Sequence, residues 1–180
     1  MIFNKHSEFT DHAFLAPSKY HWINYDEEKL TAVFGSFLAA KKGTRLHEFA
    51  KECIELGIKL PRSQQTLNMF VNDAIGFRMT PEQPLFYSEN CYGTADAISF
   101  NRHRLRIHDY KSGITPCKMT QVELYAAIFC LEYNINPLDI DIELRIYQNN
   151  EILIHQPDDI SDLMAIVIQQ DKHVAALRLL

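Results

Sequence analysis

An alternating run over residues 92–100 and a strand-like run over 104–110 are separated only by Asn101-Arg102-His103. So short a connection makes a tight hairpin, and the two runs are antiparallel neighbours. Each carries a carboxylate. Asp96 stands inside its apolar run, where an acid is unusual. Asp109, thirteen residues later, closes the second run, and Lys111 follows just before the polar turn at Ser112-Gly113. A side chain at a strand end can leave the core for a cleft. Two carboxylates on neighbouring strands, with a lysine beside the second, suit a divalent metal held against a phosphodiester.

The rest of the chain reads as helices packed on a sheet. Pro17 starts a short helix over 17–25, and Asp26 opens a longer one to about Lys42. Gly43-Thr44 interrupts it. Thr44 caps the next helix, whose buried stripe is Leu46, Phe49, Ala50, Cys53, Ile54 and Leu56, with Gly57 as its end. A further helix is expected over 63–77. Strands follow at 84–88, 92–100 and 104–110, then an amphipathic helix over 119–133. Strands at 139–147 and 151–155 meet at Gln148-Asn149-Asn150, and a last helix starts at Asp158 or Ser161. That order predicts an α/β fold with a central mixed sheet of about five strands flanked by helices.

A chain of 180 residues is long enough for one domain with a proper core. No apolar stretch approaches the roughly 20 residues of a membrane span, and the start lacks a signal-peptide core, so a soluble, cytoplasmic protein is expected. The net charge of −5 is unevenly spread: residues 1–131 carry 15 basic and 14 acidic side chains, residues 132–180 carry 3 and 9. Nucleic acid is therefore not excluded as a partner, although the charge argues against a broad basic groove on an isolated monomer. Cys53, Cys91, Cys117 and Cys130 form no C-x-x-C pair and are read as reduced thiols.

Each candidate also has a plainer reading. Asp96 alone is equally a turn acid, and Lys111 a solvated lysine at a strand end. His47 lies at the edge of a buried helix face, where a histidine is usually a packed residue but can also give a metal its nitrogen. Gln121 and Tyr125 share a helical face; they read as surface and core, or as contacts to phosphate and base. Arg102, Arg104 and Arg106 alternate on one strand, either as a solvated face or as phosphate contacts.

Together, Gly43-x-x-x-His47, Gly93-Thr94-Ala95-Asp96, Asp109-Tyr110-Lys111 and Gln121-x-x-x-Tyr125 resemble the PD-(D/E)xK nuclease superfamily, in its RecB-like exonuclease branch. The motifs cover about residues 40–130, and the element order extends over the whole chain. The resemblance implies a restriction-endonuclease-like core and a single nuclease domain over 1–180. Its parts would be a helical 1–80 carrying His47, the catalytic strands and helix over 81–135, and a hairpin and helix over 136–180. It implies Mg2+ or Mn2+ held by His47, Asp96, Asp109 and the Tyr110 carbonyl, with Asp96, Asp109 and Lys111 as catalytic residues. Gln121, Tyr125 and the three arginines would meet DNA. The iron–sulfur cysteines of some relatives have no counterpart after Cys130, so no cluster is expected.

The implied activity is metal-dependent hydrolysis of DNA, foremost by an exonuclease of phage or bacterial recombination and repair. A structure-selective endonuclease of the junction-resolvase kind, or a silent DNA- or protein-binding module on the same fold, are the alternatives. The resemblance leaves room for a homo-oligomer and for a recombination-protein partner.

Overall fold

The computed structural model describes residues 13–178. Two compact units divide at Thr44, and every site candidate named above belongs to the second, Arg45–Leu180. In the first unit the short helix takes the form of a 3-10 helix, Pro17–Asn24. The Trp22 indole N–H donates to the Ala16 carbonyl at 3.1 Å. Phe14, Trp22, Tyr25 and Phe37 help to line a cavity of about 350 Å³.

Helix α1 (Glu27–Leu56) is one helix of 30 residues and corrects the expectation of two helices broken at Gly43-Thr44. A single interior glycine costs about 1 kcal/mol, too little to end so long a helix. Thr44 turns its hydroxyl back onto the Ala40 carbonyl at 3.3 Å and caps nothing. Asp26 does open the helix, its Oδ1 accepting the Lys29 N–H at 2.8 Å. In the second unit α1 buries Ala50, Cys53 and Ile54, whereas Phe49 and Leu56, expected in that stripe, are 45% and 64% exposed.

Helix α2 (Thr66–Gly76) is shorter than expected, because Ser63 forms a turn in which its hydroxyl accepts from the Gln65 N–H and the Asn68 amide. Strand β1 (Thr80–Ser88) begins four residues before the expected start and runs through Pro81 and Pro84. Both prolines are tolerated because β1 is an edge strand that pairs only with β2 (Cys91–Asn101). Strand β3 (Arg104–Tyr110), helix α3 (Thr120–Glu132), strands β4 (Asp141–Gln148) and β5 (Glu151–His155), and helix α4 (Ser161–Leu177) complete the order.

The five strands lie side by side in sequence order, antiparallel except for the parallel pair β3–β4. The expected α/β class with a five-stranded mixed sheet is what the chain forms. Parallel pairing demands a crossover, which α3 supplies. Its placement sets two apolar clusters. One gathers Val122, Ala126 and Phe129 of α3 with Leu85, Ile107 and Leu144 of the sheet. The other gathers Ala50 and Cys53 of α1 and Phe70, Val71 and Ala74 of α2 with Ala97, Tyr110 and Tyr147. The four cysteines are free thiols, Cys53 and Cys130 buried. Among the described residues no helix is long and apolar enough to cross a membrane.

Leu144 is fully buried and Leu153 is 44% exposed, so the two leucines of adjacent strands calibrate the core. Leu144→Ala is expected to lower the free energy of urea unfolding by about 3 kcal/mol, and Leu153→Ala by about 1 kcal/mol or less. Equal losses at both positions would contradict the burial described.

Candidate metal centre

The centre forms where the sheet is locally irregular. Residues two apart on a regular strand share a face, yet Ala95 packs in the α3 cluster and Ala97 in the α2 cluster. The alternation therefore slips at Asp96. On β1 the opposite residue is Glu82, which lies between the pairs Pro81–Ala97 and Gln83–Ala95 without a backbone pair of its own. Its φ of +47° is a conformation that non-glycine residues seldom adopt. The β2–β3 ladder likewise stops at Ala97–His108. Beyond it the Asp96 side chain takes the place of the missing backbone acceptor, its Oδ2 receiving the Tyr110 N–H at 2.7 Å.

These irregularities bring two carboxylates to one imidazole. His47 of α1 places Nδ1 3.4 Å from Asp96 Oδ1 and 3.7 Å from Glu82 Oε1. The three potential ligand atoms lie within 4.8 Å of one another. The Tyr110 ring stands edge-on to the imidazole at 5.3 Å and fixes its plane. Asp96, with Glu82 and Asp109 adding to it, raises the His47 pKa against the opposing effect of burial. Burial, and then the Asp96 charge, raise that of Glu82. A site that holds protons this firmly is one in which negative charge is in excess.

Asp109 stands beside this group rather than in it. It is only 2% exposed, and its Oδ1 accepts from the Lys111 ammonium at 3.1 Å. Oδ2 lies 2.9 Å from the same nitrogen but off the direction of a hydrogen bond, so it is a buried oxygen with unused acceptor capacity. Burial and the Asp96 charge push its pKa up to about 6, against the pull of Lys111 and His47. Burial works against the Lys111 ammonium, but Asp109 and Asp96 outweigh it and raise its pKa. Gln121 Oε1 accepts a further hydrogen bond from Lys111 at 2.9 Å.

The remaining candidates divide. Tyr125 packs against Gly93, where an added Cβ would stand 3.0 Å from the ring. Any larger residue there would press on the Tyr125 ring. Gln121 and Tyr125, expected at DNA, thus serve first to steady Lys111 and to fit helix to strand. Arg104 is paired with Asp141 at 3.0 Å and Arg106 with Glu143 at 3.2 Å, across the β3–β4 seam. Arg102 is exposed in the β2–β3 turn. Glu48 and Glu52 of α1 are exposed.

Two residues were missed from sequence. Glu82 lies between two prolines just before the expected strand, and its positive φ has no sequence signature. Gln148 ends β4 and is 5% exposed. Its amide donates to the carbonyls of Gly113 (2.7 Å) and Thr115 (2.8 Å), and its oxygen accepts from the Cys117 N–H (3.2 Å). It anchors the loop between Lys111 and Gln121.

Compared with protein-family models and with curated proteins, the chain matches none. The residues present fit a divalent cation: one imidazole nitrogen, two converging carboxylates, and the unsatisfied Asp109 oxygen nearby. The nitrogen favours Mn2+ over Mg2+, which prefers oxygen alone.

An ion entering the group must displace the protons it holds. His47 and Glu82 titrate above their ordinary values and Asp109 near 6. The stabilisation given by Mn2+ is therefore expected to be small at pH 5.5 and to grow as pH rises to 8. The readout is the difference in Tm with and without ion. His108, whose pKa burial and two arginines lower to about 3, costs stability as pH falls below 6.5 and shapes both curves alike. His47→Ala should remove most of the Mn2+ shift at pH 8; an undiminished shift would place the ion elsewhere.

Proposed function

We propose that the chain is a metal-dependent nuclease that hydrolyses phosphodiester bonds in DNA. The observation that carries this reading is the juxtaposition of two unlike groups. A three-residue ligand set, His47, Glu82 and Asp96, is electrostatically coupled to the ion pair of buried Asp109 with half-buried Lys111. A cation site alone serves many ends. A cation site beside a half-buried ammonium is suited to an anion that gains charge during reaction, as a phosphodiester does on attack.

In this reading His47, Glu82 and Asp96 hold Mn2+ or Mg2+, with Asp109 Oδ2 and the Tyr110 carbonyl as further oxygens at its edge. The ion supplies Lewis-acid polarisation of the phosphate and a lowered pKa for water. The protein supplies the rest. Lys111 remains an ammonium at neutral pH, since its pKa is raised. The one N–H not given to Asp109 or Gln121 therefore donates to the attacking water, and the ammonium does not abstract the proton. Asp109 and Gln121 hold the ammonium from two sides, which removes the rotamer freedom a lysine would otherwise lose on reaching its transition-state geometry. Tyr125 on Gly93 keeps α3, and with it Gln121, at a fixed distance from the strands. Digestion from ends, as by an exonuclease of recombination or repair, is the form of the activity we favour on the sequence resemblance.

With end-labelled linear DNA and Mn2+, Lys111→Ala is expected to lower kcat about 100-fold or more, within the range set by removal of one charge-stabilising donor. Its Mn2+ affinity should stay near that of the unaltered protein. Glu82→Gln should weaken Mn2+ binding itself. Loss of cleavage in neither variant, or no cleavage of linear, circular or branched DNA by the unaltered protein in any metal, would overturn the reading.

A further inference from the structure

Strands β1 and β2 carry a second feature on the face that bears Glu82 and Asp96. Beyond the irregular pair the ladder is regular: Gln83 pairs with Ala95, Pro84 with Thr94, Leu85 with Gly93 and Phe86 with Tyr92. Leu85 and Ala95 are buried against α3, and Gly93 meets Tyr125 of that helix. Pro84, Phe86, Tyr92 and Thr94 therefore turn to the opposite face, and all four are exposed there. Phe86 and Tyr92 are 51% and 70% exposed, and their rings lie nearly parallel, 25° apart, with centroids at 6.2 Å. Two large aromatic rings are thus held open to solvent by direct cross-strand pairing, in line with a ligand set for a cation.

We infer that Phe86 and Tyr92 form a base-stacking platform that binds single-stranded nucleic acid leading into the metal centre. The inference rests on the nuclease reading and names the form of its substrate. Four strand residues separate Tyr92 from Asp96, about 13 Å at a rise of ~3.3 Å. A stacked strand advances ~3.4 Å per nucleotide and an unstacked one further. The platform therefore meets a base no more than about four nucleotides from the phosphate at the ion. The bases of a duplex are stacked on one another and present no free face, whereas those of a single strand do. Stacking asks nothing of base identity, and the Thr94 hydroxyl between platform and centre can donate to a backbone phosphate. The free edge of β1 is covered at this point, because the Phe86 N–H donates to Glu132 Oε2 at 2.8 Å. The surface is thereby suited to a ligand that stacks on the rings and is closed to a peptide strand that would pair with the edge.

The test measures binding of a fluorescently labelled 12-nucleotide oligothymidylate in EDTA. In Mn2+ it measures cleavage of the same oligomer and of bis(4-nitrophenyl) phosphate, which is too short to span the two places. The proteins are the unaltered chain, Phe86→Ala/Tyr92→Ala and Tyr92→Trp. The double variant is expected to bind the oligomer at least about fivefold more weakly, and to show a matching rise in KM. Its turnover of the small ester should be unchanged, and Tyr92→Trp should bind as tightly as the unaltered protein. The unchanged ester turnover also reports that the variant is folded. Equal oligomer binding by the double variant and the unaltered chain overturns the platform and leaves the nuclease reading standing. Binding that depends on the two rings in a chain that cleaves neither substrate supports the platform and overturns the nuclease. An unaltered chain that binds duplex but no single strand overturns the platform as well.

Discussion

Where β2 and β3 part, the Tyr110 N–H loses its backbone acceptor, and the Asp96 carboxylate receives it at 2.7 Å. An amide left unpaired in that interior would cost about 1–3 kcal/mol, so the side chain is fixed by the needs of the fold before any ligand arrives. That one bond has two consequences. It commits Oδ2 to the sheet, leaving Oδ1 to His47. It also plants a negative charge beside Asp109 and Glu82, which adds to burial in raising the pKa of each. Carboxylates that crowd together in this way are stabilised by whatever cation they can gather. Within the protein that cation is the Lys111 ammonium and a proton on His47; a metal ion supplies more charge in the same place.

The opposite need, to neutralise arginines, shapes the neighbouring part of the sheet. Arg106 and Arg145 flank the Phe77 ring, their guanidinium carbons 4.5 and 4.9 Å from its centroid. Both donate to Glu143 Oε1. Arg145 and the Tyr147 hydroxyl share Asp73 Oδ2, at 3.1 and 2.8 Å. With the single Tyr147 proton on Asp73, buried His108 donates from Nδ1 to the Tyr147 oxygen and stays neutral, leaving Nε2 without a partner. The network consumes Arg106, and Asp141 takes Arg104. Arg104 and Arg106, whose alternation suggested a phosphate-binding face, pair with acids of β4, and Arg145 of β4 holds Asp73 of α2. Neither Arg104 nor Arg106 is therefore left to offset the acids of the centre, which face His47 and Lys111.

The large-scale fold was legible because its signals were local and repeated. The hairpin at Asn101-Arg102-His103, the apolar spacing of α3 and the Asn149-Asn150 turn each state their structure within a few residues. The Asp109-Tyr110-Lys111 run likewise gave away the end of β3, and His47 and Asp96 do meet. What escaped depends on long-range context. Gly43 reads as a break, and the helix passes through it because one glycine is a weak obstacle. The strand was expected to start only at Pro84, leaving Pro81 outside it, because sequence does not say which strand is an edge that tolerates proline. Glu82 was hidden by those prolines, and Gln148 because its three partners lie over thirty residues away in sequence. The pairing of Arg104 and Arg106 escaped for the same reason: period two shows which residues share a face, but not which acids the next strand brings.

The central claim, that His47, Glu82 and Asp96 are ligands of one divalent cation, is tested most directly by a crystal structure of the Mn2+-soaked protein at pH 8, with anomalous data collected at the manganese edge. The account predicts a single strong anomalous peak bonded to the His47 imidazole nitrogen and to carboxylate oxygens of Glu82 and Asp96, with Lys111 still bound to Asp109. A map with no peak at that place, or an ion held by other residues while His47 remains paired with Asp96, would contradict it.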